Sequence, residues 1–123
     1  MELNFDKLNG LIPTVIQDYK TNKVLMVGFM NKEAYQKTLK TGKVWYYSRT
    51  RKKLWLKGET SGNFQLVKEI LVDCDNDTLL IKVQQKGNAS CHEGYESCFF
   101  RDLKGKIVGK KIFDPKEVYN GKK

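Results

Sequence analysis

The sequence predicts an α+β domain built mainly from antiparallel β-sheet with one or two short helices. Segments rich in Val, Ile and aromatic residues recur along the chain and are joined by short polar links. One segment, from Lys32 to about Lys40, has the start and stop signals of a helix. A chain of 123 residues can bury one hydrophobic core, so we expect a single domain over residues 1–123.

The N-terminal elements are predicted to be a hairpin followed by the helix. The strands Leu11–Lys20 and Val24–Met30 are separated by a short polar break, which favours antiparallel pairing. Asn31 suits the N-cap of the helix, because its side chain can accept a hydrogen bond from the first turn. Gly42 stands at the expected stop, where a left-handed residue is common.

The remaining elements are predicted to be strands joined by loops. Glycine, hydroxyl and acidic residues mark two loops, and β-branched or aromatic residues mark the strands. In chain order we expect a strand over Lys43–Ser48, a loop over Lys57–Asn63, strands over Phe64–Cys74 and Thr78–Gln85, an irregular loop over Gly87–Ser97, short strands over Cys98–Leu103 and Lys106–Phe113, and a loose tail from about Pro115.

The composition excludes several classes of protein. With 40% hydrophobic residues, 30% charged residues and two prolines, the chain is neither low-complexity nor collagen-like. Apolar runs such as Val24–Met30 fall far short of the ~18 residues of a membrane span. The first ten residues lack the apolar region of a secretory signal, so we expect a cytoplasmic protein.

The charge indicates an anionic partner. The chain has 23 basic and 14 acidic residues, a formal net charge of +9. Such an excess favours nucleic acid, an acidic membrane or a phosphorylated small molecule. From charge alone, a polynucleotide and a phosphorylated metabolite remain equally open.

Three aspartates, Asp73, Asp75 and Asp77, occupy alternate positions at a predicted strand end. On one strand face, carboxylates 6–7 Å apart would repel by roughly 2–3 kcal/mol per pair at an effective dielectric near 20. A hard cation such as Mg²⁺ would relieve that repulsion. On spacing alone, a solvated turn is the favoured alternative. An EF-hand is excluded, because Thr78 and Gln84 replace its glycine and glutamate.

The three cysteines are an odd number, which argues against a disulfide scaffold. Cys91 and Cys98 bracket a glycine-containing loop with a wider spacing than structural zinc modules use. With Cys74 the thiolates would number three, as in a catalytic zinc site, although buried packing thiols are the alternative. The single histidine, His92, is a candidate fourth ligand or general base, or simply an exposed side chain.

The Lys57–Asn63 loop is a weak signal for anion binding. Its two glycines would let a phosphate approach the backbone, and neither a Walker A nor a Rossmann pattern is present. Trp55 before the loop suits either purine stacking or the core. Charge and hydroxyl donors for the anion come from four side chains: Arg49, Lys57, Thr60 and Ser61.

Taken together, these segments resemble the phosphoribosyl-AMP cyclohydrolase family of histidine biosynthesis. The resemblance extends from about Gly10 through Arg101, and the family's motifs occur in order. They are Gly10-Leu11-Ile12-Pro13, Val24-Leu25-Met26 with Phe29-Met30-Asn31, Tyr46-Tyr47-Ser48-Arg49, Trp55-x-Lys57-Gly58-Glu59-Thr60-Ser61-Gly62, Asp73-Cys74-Asp75-x-Asp77 and Cys91-His92-x-Gly94-x-x-Ser97-Cys98.

The resemblance implies a zinc- and magnesium-dependent, intertwined homodimer with a small nucleotide substrate and with neither nucleic acid nor membrane as partner. The implied zinc ligands are Cys91, Cys98 and the partner subunit's Cys74, so the zinc site is shared across the dimer. We expect the form with this single activity, without a fused pyrophosphohydrolase domain. The implied magnesium ligands are Asp73, Asp75 and Asp77.

The implied substrate is AMP that carries a second ribose phosphate on N1, and its phosphates suit the net charge of +9. Substitution at N1 makes C6 electrophilic, so we expect a zinc-bound hydroxide to attack C6 and the N1–C6 bond to break. The product would be the phosphoribosyl-formimino aminoimidazole carboxamide ribotide. His92 would move the proton, and Mg²⁺ would orient or neutralise phosphate oxygens. Phosphate or ribose would be bound by Arg49, Lys57, Thr60 and Ser61.

Three positions depart from the family's usual pattern. Leu56 stands where a basic residue is usual, Asn63 where a histidine is common and Glu93 where a threonine is common. We expect the first two to alter substrate contacts and Glu93 to raise the basicity of His92. None of the three removes an implied metal ligand.

A small zinc-stabilised RNA-binding protein is the competing hypothesis. Trp45, Tyr46, Tyr47 and Trp55 would then form a stacking surface for bases. This hypothesis predicts steeply salt-dependent RNA binding without turnover. It leaves the three aspartates without a role, since they would repel a phosphate backbone.

Overall fold

The computed structural model describes residues 2–116 and confirms the α+β class. A four-stranded sheet carries the helix, and a two-stranded hairpin lies beside it. The elements are β1 (Ile12–Asp18), β2 (Val24–Met30), α1 (Lys32–Thr41), β3 (Trp45–Ser48), β4 (Lys53–Leu56), β5 (Gln65–Val72) and β6 (Leu79–Gln85), followed by a short 3₁₀ turn over Lys86–Asn88.

The predicted hairpin and helix are confirmed. Strands β1 and β2 pair antiparallel, with Val15 opposite Val27. The Asn31 side chain caps α1 by accepting a hydrogen bond of 2.8 Å from the Ala34 N–H. Gly42 ends the helix in the left-handed conformation, with φ of 73°. None of the helices in the described part of the chain has the length and hydropathy to span a membrane.

The large sheet has the strand order β2-β1-β6-β5. Its β1–β2 and β5–β6 pairs are antiparallel, as expected, but β1 and β6 pair in parallel with Ile16 opposite Ile81. The sequence analysis did not predict this central pairing. It joins the N-terminal hairpin to the strands that flank the three aspartates.

The core lies between the inner face of this sheet and the layer formed by α1 and β3. Tyr46, which is 1% exposed, fills its centre, and Ala34 and Thr38 of α1 are buried against it. Gly28 makes room for the tyrosine, because a Cβ atom at that position would collide with the Tyr46 ring. The inward-facing residues of β1 and β6 include Ile12, Ile16, Ile81 and Val83.

Several predicted elements differ from the structure. Strand β4, which pairs with β3, was not predicted. Strand β5 ends at Val72 rather than Cys74, because the aspartate segment forms a turn. The predicted strands Cys98–Leu103 and Lys106–Phe113 are wrong. This segment is mostly exposed, pairs with no strand of either sheet and makes only two isolated bridges, Tyr95 with Lys111 and Arg101 with Ile107.

The C-terminal segment bends back instead of extending. The Asp102 side chain accepts hydrogen bonds from the backbone N–H groups of Lys104 and Lys106, at 2.9 and 3.0 Å, and closes a tight turn there. Of the predicted loose tail, only Pro115 and Lys116 lie within the described residues.

Candidate metal and substrate site

The predicted anion loop lines a cavity of about 390 Å³, and His92 opens into the same cavity. The predicted residues Lys57, Thr60 and Ser61 therefore come together with the histidine. Arg49 is not part of this lining, since its guanidinium lies over the Phe29 ring at 4.0 Å. The full lining is Arg51, Trp55, Leu56, Lys57, Gly58, Glu59, Thr60, Ser61 and His92.

The shape of the anion loop requires glycine. Gly58 has φ of +94°, and a Cβ atom there would lie 2.5 Å from the Phe64 nitrogen. The Gly62 N–H donates a hydrogen bond of 2.7 Å to the Gly58 carbonyl and closes the loop. The hydroxyl and charged side chains between the glycines are thereby turned towards the cavity.

A buried chain of polar side chains fixes the far end of this loop. The Tyr46 hydroxyl donates to Gln65 Oε1 at 2.5 Å, and Gln65 Nε2 donates to Gln85 Oε1 at 2.9 Å. Gln85 Nε2 donates to the Asn63 carbonyl, also at 2.9 Å. Burial raises the pKa of the Tyr46 hydroxyl well above its ordinary value, so this donor stays protonated. These hydrogen bonds thus link Tyr46 in the core to Asn63 at the end of the anion loop.

The loop that carries Cys91 and Cys98 is attached at both ends to β2. The Leu25 carbonyl accepts hydrogen bonds from Ser90 Oγ at 3.0 Å, Ser97 Oγ at 3.2 Å and the Cys98 N–H at 2.7 Å. Cys91 is buried, whereas part of the Cys98 side chain reaches solvent. One backbone carbonyl therefore brings the two distant cysteines into one cluster.

The two thiols in this cluster interact electrostatically with the Lys57 ammonium. Partial burial raises the pKa of the Cys98 thiol, and the neighbouring Cys91 raises it further, whereas the Lys57 ammonium lowers it. Burial lowers the pKa of Lys57, and both thiols oppose that shift. The Lys57 ammonium also donates a hydrogen bond to the Ser90 carbonyl. Lys57 therefore faces the thiol pair as well as the cavity.

The three aspartates converge in a turn rather than on a strand face. Ligand oxygens of Asp73, Asp75 and Asp77 lie within 4.8 Å of one another. Asp73 Oδ1 accepts hydrogen bonds from the N–H groups of Asp77 at 3.0 Å and Thr78 at 3.2 Å. Asn76 supplies the left-handed residue of the turn, with φ of 63°. The turn geometry thus produces the clustering that strand alternation was expected to produce.

The N-terminal segment docks onto this turn. The Asn4 N–H donates a hydrogen bond of 2.7 Å to the Asn76 carbonyl. The Lys7 ammonium lies 2.8 Å from Asp75 Oδ2 and 3.1 Å from Asp77 Oδ2. The two carboxylates raise the pKa of Lys7 above its ordinary value. The cluster therefore already holds one cationic group.

Cys74 lies in this turn and is exposed. Within residues 2–116, only the three aspartates form a group of three Asp, Glu, His or Cys side chains close enough to hold one metal ion. Cys74 accordingly does not complete a three-ligand site with Cys91 and Cys98 in a single chain.

The sequence analysis missed several site residues. Arg51 and Glu59 line the cavity, although only Arg49 was singled out from the basic segment before β4. The alternation of Arg49 and Arg51 beside a turn was the available signal. Lys7 had no local signal, because its carboxylate partners are 68 or more positions away.

The fold and the site define a small α+β domain in which a basic cavity adjoins a pair of thiols. The model of the phosphoribosyl-AMP cyclohydrolase family matches residues 26–100. Proteins named phosphoribosyl-AMP cyclohydrolase are similar over most of their length. That of Desulforapulum autotrophicum is 57% identical over 97% of this chain and 98% of its own. That of Methanothrix thermoacetophila is 63% identical over 89% of each chain.

A third relative with the same name, from Clostridium botulinum, is 64% identical over 82% of this chain and 92% of its own. The chain belongs to the phosphoribosyl-AMP cyclohydrolase family of enzymes, and the resemblance carried by its motifs is confirmed.

Proposed function

We propose that this enzyme opens the purine ring of 1-(5-phosphoribosyl)-AMP by hydrolysis of the N1–C6 bond, a step of histidine biosynthesis in the cytoplasm. Family membership supports the reaction class. The observation that carries the proposal is that His92, next to Cys91, lines the same cavity as the glycine-bounded anion loop. A proton-transfer group, candidate metal ligands and anion-binding groups therefore meet at one place.

The cavity residues divide into binding and proton-transfer roles. Arg51, Thr60 and Ser61 would hold phosphate or ribose oxygens, and Trp55 offers a ring face to the purine. Arg49 lies outside this lining and remains a predicted contact for phosphate or ribose. His92 would take a proton from the attacking water and deliver one to the ring nitrogen that leaves.

The cysteines fit zinc by their donor chemistry. Soft thiolates select zinc, and three of them leave a position open for water. Cys91 and Cys98 are already adjacent, and the partner subunit's Cys74 would supply the third ligand. A zinc ion held there would lower the pKa of a bound water for attack at C6.

The aspartates fit a hard cation such as Mg²⁺. Their oxygens converge within 4.8 Å, and the Lys7 ammonium stands in for a cation beside Asp75 and Asp77. We assign Mg²⁺ to Asp73, Asp75 and Asp77, where it would neutralise phosphate oxygens of the substrate.

An apolar groove on the outer face of the sheet supports a homodimer. The groove has a volume of about 450 Å³, and it continues into the aspartate turn at Asp73, next to Cys74. Val24 and Leu71 in this groove are each 42% exposed. A second copy that covers the groove would bury these side chains and bring the Cys74-bearing turn to the partner's cysteine loop. The remaining apolar lining includes Val15, Val72, Leu79 and Leu80.

RNA binding is less well supported by the structure. Tyr46 is 1% exposed, and its ring stacks on Trp55 with centroids 4.9 Å apart. Two of the four proposed stacking residues are therefore engaged with each other. Tyr46 is therefore not available as part of the open aromatic platform that single-stranded nucleic acid requires.

Substitution of the histidine tests the proposed chemistry. His92→Ala should lower kcat by roughly 10²–10⁴-fold with the zinc content unchanged, because the proton-transfer group is lost. The measurement is the absorbance change on ring opening, with zinc determined on the same preparation. Lys104→Ala, at an exposed residue outside the cavity lining, is the control and should retain most of kcat. A near-normal rate in zinc-loaded His92→Ala would remove the histidine from the mechanism.

Subunit mixing tests the shared zinc site. Cys74→Ala and Cys91→Ala chains should each be inactive, because each homodimer lacks one ligand at both sites. A hybrid dimer regains one intact site, so equal mixing should restore about a quarter of wild-type activity after statistical exchange. No recovery, when mass spectrometry shows hybrid dimers, would contradict the shared site.

A further inference from the structure

We propose that Lys57 is the internal counter-cation of the cysteine site: its ammonium stabilises the ligating thiolates of Cys91 and Cys98 and does not bind a substrate phosphate. This inference rests on the proposed zinc role of the cysteines. It changes the role expected for Lys57 from the sequence, where the lysine was grouped with the anion-binding side chains.

The path of the Lys57 side chain supports this role. Its backbone N–H is fixed by a hydrogen bond of 3.2 Å to the Val44 carbonyl. Its ammonium passes the Trp55 ring, 5.8 Å from the centroid, and donates to the Ser90 carbonyl. Ser90 is 1% exposed and directly precedes Cys91. The charged end of the lysine is therefore held at the base of the cysteine loop.

The charge requirement of the half-buried Lys57 ammonium supports this role further. An ammonium that leaves bulk water needs an anion or several acceptors to offset its lost hydration. The hydrogen bond to the Ser90 carbonyl satisfies one of its three protons. The thiols of Cys91 and Cys98 lie at this point of the loop: Ser90, which accepts from Lys57, directly precedes Cys91, and its hydroxyl binds the same Leu25 carbonyl as the Cys98 N–H.

The charge of the metal site requires the same partner. Three thiolates and one Zn²⁺ carry one net negative charge, which raises the pKa of a water bound to the metal. One ammonium beside the thiolates neutralises that charge. Arg51 remains in the same cavity for the substrate phosphate. Lys57 thus neutralises the thiolates, and Arg51 binds the substrate phosphate.

Zinc affinity distinguishes the two roles without an activity assay. Lys57→Met keeps the length of the side chain and removes its charge, and we expect the zinc affinity of the dimer to fall roughly 10–100-fold. Arg51→Met, the matched control in the same cavity, should change zinc affinity less than about twofold and raise KM. The measurement is competition with a chromogenic chelator, with Co²⁺ absorption reporting thiolate coordination.

Lys57→Arg retains the positive charge and serves as a second test variant in case Lys57→Met does not fold. It should keep zinc affinity within about threefold of the wild type, since the counter-charge is preserved. Unchanged zinc affinity in folded Lys57→Met, with a raised KM, would overturn the counter-cation role and leave the proposed function standing. A wild-type dimer that binds no zinc would overturn both.

Discussion

Within residues 2–116, the aspartate turn brings all three of its carboxylates together, whereas the cysteine loop brings together only two thiols. The turn is mostly exposed and is shaped by its own backbone hydrogen bonds to Asp73. The cysteine loop buries Cys91 and Ser97 and depends on the distant Leu25 carbonyl. The aspartate cluster is a local product of the chain, and the thiol pair is a product of tertiary packing.

The two candidate metal sites therefore require different states of the protein, the folded monomer for one and the dimer for the other. An oxygen cluster formed by one turn exists in a folded monomer. The proposed thiolate set, completed by the partner subunit's Cys74, would exist only in the dimer. Magnesium binding should therefore survive changes that abolish zinc binding, and three substitutions test this separation.

The largest effect is expected from a charge placed in the apolar groove. Leu71→Lys should prevent dimerisation, because an unpaired ammonium would have to be buried in the interface, at several kcal/mol. Zinc affinity should fall at least about 100-fold, and magnesium affinity should stay within about twofold. Sedimentation and metal titration measure both.

The matched control for Leu71→Lys is Leu39→Lys. Leu39 is 54% exposed on α1, away from the groove, and its substitution should leave the dimer and both metal affinities intact. A Leu71→Lys monomer that still binds zinc tightly would show that one chain completes the site.

An intermediate effect is expected at the attachment of the cysteine loop. Ser97 is 3% exposed. Ser97→Ala removes the hydroxyl that donates to the Val24 carbonyl and accepts from the Phe99 N–H. The free energy of unfolding should fall by about 1–3 kcal/mol, and zinc affinity should fall with it. Urea unfolding and zinc competition measure the two losses.

Ser48→Ala provides the comparison for Ser97→Ala. Its hydroxyl contacts Thr50 and the Arg51 N–H in an exposed turn, so its loss should cost no more than about 0.5 kcal/mol. Equal stability of the two serine variants would mean that the Ser97 hydroxyl does not hold the loop.

The smallest effect is expected at Lys7. Lys7→Met removes a cation that competes with magnesium for Asp75 and Asp77, so magnesium affinity should rise. The gain should be about two- to fivefold at low ionic strength, because solvent screens exposed ion pairs and leaves them weak. Calorimetry at low and high salt measures it, and the gain should shrink with salt.

Lys20→Met is the control for Lys7→Met, since Lys20 is exposed and its ammonium lies beside Tyr19 instead of the aspartates. A lower magnesium affinity in Lys7→Met would mean that the N-terminal segment stabilises the turn rather than competing for it.

Local signals account for what the sequence predicted. The Asn31 cap, the Gly42 stop and the β1–β2 hairpin are each specified by a few neighbouring residues, and all were predicted. The three aspartates also cluster through neighbours in the chain. The resemblance of the motifs added the family, which the charge pattern alone could not select.

Long-range contacts account for what the sequence did not predict. The parallel pairing of β1 with β6 and the approach of Lys7 to Asp75 join distant segments, and no local pattern encodes them. Strand β4 exists because β3 offers it an antiparallel partner. The orientation of Lys57 towards Ser90 similarly depends on a loop that comes 33 positions later.

The parallel pairing also sets the order in which the sheet can form as the chain is synthesised. β1 ends at Asp18, but its neighbour β6 begins at Leu79, so the N-terminal hairpin leaves the ribosome long before its second partner. Until β6 is synthesised, the edge of β1 that will pair with it has unpaired backbone N–H and C=O groups next to an apolar face. Closure of this long connection is slow compared with hairpin formation, and it makes the nascent chain most prone to aggregation before β6 emerges.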